Sequence, residues 1–431
     1  MRGKEYFAPP SKTKVIARLA VLGGSSVYIP VFISALMHRN VKVREVVLIG
    51  RNEEKLEIVS RFCKKLVANV GYPLKISSTV SVEEGVKDAL IILNHIRVGG
   101  LLTRISHERL PLKHNMIGDE SFGAGSFSNA CTTIPVIVDI GNRIKSVNPN
   151  AYLINMTNPM GLVVDVFTRH TGLENVIGIC ENIPSYRRAI SELLGVDECQ
   201  ISLHYIGLYH IGFVCDVLVK GKSRMSEVVE KANELNIEGV NKDFIRYFNL
   251  IPSRALSIYL SRDAYLNYQK KAPRLRSEIL YEKETKILKL YKQNTTETIP
   301  SIVYERNPFW YDEIIVPLIL HLCSYNPGES IVCVPNKGFI SEFPLGTSVE
   351  VPCKISKDGY ACSLKLKIPD FIRGLMIMSK ESDRLMMESI INSSYKTALR
   401  ALAINPFVTS FSNVKDFLDE CLKERNFDWF K

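Results

Sequence analysis

Apolar residues fall in short, dense runs through the first half of this chain. Residues 15–22, 43–49, 89–94, 152–155 and 176–179 are rich in valine, isoleucine and leucine, with few polar interruptions. Runs of that length, bounded by polar residues and glycines, read as strands buried on both faces. Between them lie stretches of helical spacing at residues 30–38, 53–67 and 134–147, the first with Pro30 suited to an opening turn. Strands alternating with helices predict an α/β fold, a Rossmann-like doubly wound parallel sheet with helices on both faces. From about residue 200 the pattern changes. Strands are expected within 201–219 and 330–367, with a turn at Lys357-Asp358-Gly359, and helices over 241–269, 276–293, 370–402 and 413–425. The chain therefore divides into a dinucleotide-binding domain over 1–198 and an α+β domain over 199–431, packed at the carboxyl edge of the sheet.

Length and composition agree with two or three globular domains at 431 residues. The formal charge of +10 is spread thinly, with pairs such as Lys64-Lys65 and Lys270-Lys271 but no basic block. Such a surface is either simply solvated or suited to an anionic substrate or dinucleotide, and it lacks the basic stripe with aromatics that nucleic acid requires. The ten cysteines show no metal-finger spacing, and the first residues carry no secretory pattern, so a cytoplasmic chain with reduced thiols is expected. The apolar run over 16–37 contains Arg18, Gly23, Gly24, Ser25, Ser26 and Pro30, which fit strand, turn and helix better than a membrane span.

The chemistry gathers at the ends of predicted strands. Gly23-Gly24-Ser25-Ser26 follows the first strand, where backbone amides can face a pyrophosphate, although the same turn also serves plain strand-to-helix packing. The second strand ends in Gly50-Arg51-Asn52 instead of the acidic residue expected to bind an NAD ribose. Arg51 there could pair with a 2′-phosphate or simply face solvent, which leaves NAD or NADP open. Further on come Asn155-Met156-Thr157-Asn158-Pro159-Met160-Gly161, then Cys180-Glu181, then Tyr209-His210. An amide, a thiol and an imidazole at strand ends beside a nicotinamide site suggest redox chemistry on a hydroxyl group, with Cys180 and His210 as a metal-ligand pair. Each alone also fits ordinary packing, and Asn158 also fits a turn before Pro159.

Taken in order, these motifs resemble glycoside hydrolase family 4, a family of NAD- and divalent-metal-dependent glycosidases related in fold to lactate and malate dehydrogenases. The resemblance is carried by residues 20–30, Arg97-Val98-Gly99-Gly100-Leu101 with Arg104, Glu108 to Pro111, Ile117-Gly118-Asp119-Glu120, residues 155–161, Pro335-Asn336-Lys337-Gly338 and Val351-Pro352-Cys353. It implies that Gly23, Gly24, Ser25 and Ser26 cradle the dinucleotide, and that Cys180 and His210 hold a divalent metal, usually manganese. It further implies that Asn158 binds sugar hydroxyls, that Glu181 protonates the leaving oxygen, and that Arg97, Arg104 and Arg276 receive an anionic end of the substrate. The implied reaction oxidises sugar C3, removes the C2 proton, expels the glycosidic oxygen, adds water and returns the hydride, outside the two-carboxylate rule for glycosidases. Homodimers or homotetramers are usual in the family. No nucleic-acid or membrane partner is implied.

The chain also departs from the family. Where the family places a base tyrosine, this chain has Ala255, within Ile251-Pro252-Ser253-Arg254-Ala255-Leu256-Ser257-Ile258-Tyr259. Tyr259 stands four residues on and would share a helical face with that position, so it is the candidate substitute. Tyr209, His107, Asp119 and Ser25 also differ from the family's usual residues. Two rival readings use the same frame. One is an NAD(P)-dependent sugar or hydroxy-acid dehydrogenase, which needs no C2 base. The other is a non-catalytic descendant, favoured by the altered glycine turn.

Overall fold

The computed structural model describes residues 14–179, 183–293, 297–324, 327–362, 364–408 and 410–424; the candidate residues Cys180 and Glu181 lie outside the described residues. Six strands form the parallel half of the sheet: β1 (Ile16–Leu22), β2 (Val43–Ile49), β3 (Lys75–Thr79), β4 (Ile91–Asn94), β5 (Tyr152–Asn155) and β6 (Val176–Gly178). They lie in the order β3-β2-β1-β4-β5-β6. That is the nucleotide-binding order, with the first strand central and the crossover reversing beside it. The inner strands are buried along nearly their whole length, as their unbroken apolar runs require.

The second half adds β7 (Ile201–Leu208), β8 (Ile211–Val219), β9 (Lys222–Ser223), β10 (Ile251–Pro252), β11 (Gly328–Pro335), β12 (Ser348–Ser356) and β13 (Gly359–Ala361). Antiparallel pairing joins β11 to β6 through Cys333 and Gly178, and the sheet continues through β12, β7, β8 and β10. One sheet therefore runs through both halves. Its largest apolar cluster takes Ile16 from β1, Phe213 from β8 and Val351 from β12.

Local chemistry explains the element boundaries. Helix Glu53–Val70 starts where the Asn52 side chain accepts a bond from the Lys55 amide at 2.9 Å, with Glu53 and Glu54 complementing the helix dipole. It ends at Gly71, whose φ of 65° is the left-handed cap. Its apolar face, including Leu56, Val59, Phe62 and Cys63, packs into the main cluster.

Several elements differ from the sequence expectation, and four of them are instructive. Strand β3 carries no apolar run, because four of the five residues in KISST are polar and it lies at the sheet edge. Helix Gly100–Lys113 also falls in a stretch with no assigned element. Helix Gly123–Val147 begins well before residue 134, through glycine, serine and asparagine of low helix propensity. Packing explains it: a Cβ added at Gly125 would lie 2.2 Å from the Asp119 carbonyl oxygen, so small residues let that turn press against its neighbour. The long helix expected over 241–269 is three short ones, Lys242–Phe248, Arg254–Leu260 and Arg262–Lys271, separated by left-handed Asn249, strand β10 with Pro252, and Ser261. No helix among the described residues is long and apolar enough to cross a membrane.

The two halves are also tied by a buried ion pair. Lys380, on helix Asp370–Ile391, places Nζ 2.8 Å from Asp165 Oδ2 and donates to Ser348 Oγ at 2.8 Å. Asp165 also accepts from the Ser348 amide at 2.6 Å. Removing one member leaves the other charge buried without its partner, which typically costs about 3–5 kcal/mol. Lys380→Met is expected to lose about 3 kcal/mol in urea unfolding at neutral pH, and Asp165→Asn added to it should recover part of that. An unchanged midpoint in the single variant would show that this pair does not hold the halves together.

Candidate active site

The carboxyl ends of β1, β2, β4 and β5 open into a cavity of about 920 Å³, closed on its far side by the tip of the β7–β8 hairpin and by helix Arg254–Leu260. Eight arginine and lysine side chains line it against four carboxylates. A cleft with that excess focuses positive potential and favours anions.

The turn after β1 shapes the floor. Gly23 has φ +88°, and a Cβ there would lie 2.3 Å from the His95 carbonyl oxygen. A Cβ at Gly24 would meet the Ile49 amide nitrogen at 2.7 Å. Both glycines thus let the chain pass between the ends of β2 and β4. Gly23, Ser25 and Ser26 line the cavity, while Gly24 stands behind them; Arg51 lines it as well. Val80, Val82, Pro135 and Val136 contribute apolar wall.

The polar centre is built on Glu120. Its carboxylate is buried and receives the Arg97 guanidinium as a fork, with Nη2 to Oε1 at 3.2 Å and a second contact from Nη1 to Oε2. Arg104 Nη1 lies 3.0 Å from Oε1, and Asn158 Nδ2 donates to the same oxygen at 3.3 Å. Burial opposes ionisation of Glu120, but Arg104 and Arg97, with Arg306 behind them, outweigh it and hold the carboxyl well below the usual range. Arg104 is committed on its other side too, donating from Nε to Glu108 Oε1 at 2.7 Å, and its side chain is only 8% exposed. Glu108 in turn accepts from Ser277 Oγ at 2.7 Å.

His210 comes from the opposite wall. Tyr209 and His210 are the two turn residues of the β7–β8 hairpin, and His210 has φ +64°. A histidine held in the left-handed region is a strained choice for a hairpin that glycine or asparagine would suit better. Ser253 holds the turn in place: its hydroxyl donates to the His210 carbonyl oxygen, accepts from the Gly212 amide at 3.3 Å, and caps helix Arg254–Leu260 through the Leu256 amide at 3.2 Å. Tyr209 donates its hydroxyl to Asn158 Oδ1 at 2.5 Å. Burial pushes the His210 imidazole down to about 3, with Glu120 opposing and Arg254 reinforcing the shift. The ring is thus neutral at physiological pH, the form that binds metal ions.

The structure therefore brings Gly23, Ser25, Ser26, Arg51, Arg97, Arg104, Asn158, Arg276 and His210 to one cavity. Among the described residues no three histidine, cysteine or acidic side chains cluster as a ready metal site. Cys180 and Glu181, which follow β6 two and three residues on, are not described.

Two assignments need correction. Tyr259 does not line the cavity; its ring packs edge-on against Phe407 with centroids 5.9 Å apart and lies under the Arg262 guanidinium at 4.6 Å. A four-residue step keeps the same helical face but moves about 6 Å along the axis. Helix Arg254–Leu260 points only its first turns, at Arg254, Ala255 and Ile258, into the space. Arg104 is a buried counterion of two carboxylates and not a free anion receptor. The cavity-lining guanidiniums free of hydrogen bonds and ion pairs among the described residues include Arg254 and Arg276, since it is Arg274 that pairs with Glu282, at 2.6 Å. Arg254 was missed because its segment was read for a tyrosine, although Ser253 as an N-cap beside a strand end would have placed Arg254 at the rim.

Comparison with known proteins follows this geometry. Residues 18–196 match the family model described as family 4 glycosyl hydrolase, and residues 205–408 match that of its C-terminal domain. A probable 6-phospho-beta-glucosidase of Bacillus subtilis (strain 168) is 32% identical over 425 residues, covering 94% of this chain and 96% of its own. The 6-phospho-beta-glucosidase of Escherichia coli (strain K12) is 30% identical, with 91% and 92% covered. Among solved structures, the 6-phospho-beta glucosidase of Thermotoga maritima with manganese, NAD+ and glucose-6-phosphate superposes with a TM-score of 0.87 at 28% identity, covering 96% of this chain and 99% of that one. Lactate dehydrogenase of Eimeria maxima shares the fold alone, with a TM-score of 0.52 at 14% identity over 90% of this chain and 97% of that one.

His95 yields a pH prediction. Its Nδ1 shares a hydrogen bond with the Tyr311 hydroxyl at 3.1 Å, and burial, Arg306 and Arg97 push its imidazole down to about 3. A histidine whose folded value lies below its unfolded value near 6.5 stabilises fully above that value and progressively less as pH falls towards 3. Stability should therefore drop between pH 7 and pH 5, with His95 contributing on the order of 1–2 kcal/mol. His95→Gln should flatten the urea midpoint's dependence on pH by close to one proton, and an unaltered slope would contradict the assignment.

Proposed function

The chain belongs to the family 4 glycosyl hydrolases, and from that membership we propose that it hydrolyses 6-phosphorylated β-glucosides using a nicotinamide dinucleotide and a divalent metal ion. The observation that carries this reading is the pairing, in one cavity, of a glycine turn at strand ends with a neutral, half-buried imidazole and arginines that have no ion-pair partner among the described residues. The β-glucosidase relatives are 30–32% identical to this chain, whereas the phospho-α-glucosidase and maltose-6′-phosphate glucosidase relatives are 22–25% identical, which favours the β-linkage.

The residues present fit both groups. The turn at Gly23, Ser25 and Ser26 lines the cavity floor where a pyrophosphate would lie, and the apolar wall at Val80, Val82 and Val136 suits an adenine. His210 offers a neutral nitrogen, and Cys180 completes the metal-holding pair in this reading. When bound, the dinucleotide would exchange a hydride with the sugar and the metal would polarise the sugar oxygens.

The chain's own groups do the placing. Asn158, fixed between Tyr209 and Glu120, presents its amide to a sugar hydroxyl. Arg254 and Arg276 receive the phosphate, each able to supply charge-assisted hydrogen bonds. Arg97 remains 31% exposed beside Glu120 and can add one more. Ala255 offers no proton acceptor. Of the nearby carboxylates, Glu120 is locked as a counterion, while burial raises the proton affinity of Asp119 against its bond from the Ser121 amide and the pull of Arg104. Asp119 is thus the group at this end suited to hold a proton taken from the sugar.

The test is turnover of a chromogenic 6-phospho-β-glucoside by protein stripped of metal and nucleotide. Cleavage should need both a nicotinamide dinucleotide and Mn2+, and the unphosphorylated glucoside should be a poor substrate. Arg254→Ala or Arg276→Ala should raise KM by about 10–100-fold, and His210→Ala should lower kcat by on the order of 100-fold or more. Cleavage independent of dinucleotide would overturn the reading. Steady accumulation of reduced dinucleotide without release of the leaving group would replace it with a dehydrogenase, the alternative that the alanine at 255 favours.

A further inference from the structure

We propose that this chain selects the dinucleotide bearing a phosphate on its adenosine 2′-oxygen, so that NADP, in preference to NAD, fills the outer arm of the cavity. The inference rests on the reading that the cavity holds a nicotinamide dinucleotide and concerns which one.

In a sheet of this order the adenosine ribose lies over the end of the second strand, where an acidic side chain commonly accepts bonds from its hydroxyls. The backbone locates that place at Gly50. Ile49 accepts from the amides of Gly23 and Gly24 at 3.0 and 2.8 Å, and the Gly50 amide donates to Thr79 at 3.3 Å. Residues 50 and 51 thus sit between the glycine turn and the residues that lead to Val80. No carboxylate stands there. The sequence is Gly50-Arg51-Asn52, and the Asn52 side-chain oxygen is spent as a helix cap.

The charge at this point favours a dianion. Arg51 is exposed, lines the cavity, and among the described residues makes no hydrogen bond or ion pair. The other cations on this arm are committed: Lys55 to Glu284 at 2.6 Å, and Arg143 to Asp139 at 3.1 Å and Glu83 at 3.6 Å. Of the acids opening helix Glu53–Val70, Glu54 is held by Lys292 at 2.8 Å, and Glu53 is exposed and does not line the cavity. A Cβ at Gly50 would lie 3.2 Å from the Ser25 hydroxyl oxygen and 3.4 Å from Leu56 Cδ1, so the bare glycine lets the strand end pack closely against Ser25. A guanidinium fork beside a hydroxyl matches a phosphate monoester, whereas a carboxylate at this strand end would repel it.

Isothermal titration of the full-length protein with NAD+ and NADP+, and with AMP and adenosine 2′,5′-bisphosphate, tests this without relying on turnover. NADP+ is expected to bind at least about tenfold tighter than NAD+, with the two adenosine fragments showing the same order. Arg51→Ala should weaken NADP+ about tenfold or more while NAD+ stays within about twofold. Gly50→Asp, checked for native folding, should reverse the preference. NAD+ binding as tightly as NADP+ in the unmodified protein, or Arg51→Ala weakening both alike, would overturn the selectivity and leave the dinucleotide reading standing. Binding of neither by folded protein would overturn both.

Discussion

The site hangs on one buried carboxylate. Glu120 gathers Arg97 from the loop after β4, Arg104 from helix Gly100–Lys113 and Asn158 from the loop after β5. Its own carbonyl oxygen accepts from Asn129 of helix Gly123–Val147 at 3.1 Å. Four segments are thus held at one residue, three of them by charge-assisted bonds in a low-dielectric setting, where such bonds are strong and an unpaired member is costly. The arrangement also explains why two of the three arginines expected to receive substrate differ from the third. Arg97 and Arg104 share the carboxylate, whereas Arg276 has no ion-pair partner among the described residues.

A second constraint comes from the other wall. The β7–β8 hairpin belongs to the antiparallel part of the sheet, yet its tip reaches the strand ends of the parallel part because β6, β11, β12 and β7 are consecutive neighbours. The continuous sheet thereby sets the distance between the dinucleotide floor and His210. The backbone strain accepted at His210, φ +64°, is paid for locally by the three bonds of Ser253, which connect the hairpin tip to the helix carrying Arg254. A displaced hairpin would move the imidazole, Asn158's partner Tyr209 and the arginine rim together.

Much of this was legible in the sequence, for physical reasons that differ by element. The strands β1, β2, β4, β5 and β6 are buried on both faces, so their composition alone announces them. The edge strand Lys75–Thr79 carries no such signal, because half its surface faces water. The start of helix Gly123–Val147 is hidden for the opposite reason, since its small residues are chosen for contact and not for propensity. At the site, the motifs located the cavity lining at Gly23, Ser25, Arg97, Asn158 and His210. They could not say which arginines are already neutralised, because ion pairing depends on distances across loops. Nor could helical periodicity place Tyr259: it reports the face of a helix but not how far along its axis the cavity extends.

The charge balance of the cavity connects these observations to chemistry. Eight cationic side chains face four carboxylates, but burial and pairing divide them into two kinds. Arg104 and the Lys55–Glu284 and Arg143–Asp139 pairs are internally compensated and maintain the wall. Arg51 at one end and Arg254 and Arg276 at the other are uncompensated among the described residues, so their surplus positive charge sits at two separated places with the neutral His210 imidazole and the Asn158 amide lying among the polar groups near one of them. A ligand set with anionic groups at both ends and an uncharged reacting centre satisfies that pattern, and a phosphorylated sugar beside a dinucleotide is such a set. An isolated neutral sugar would make no use of the positive potential that exposed Arg254 and Arg276 give this end of the cleft, whereas a phosphate would.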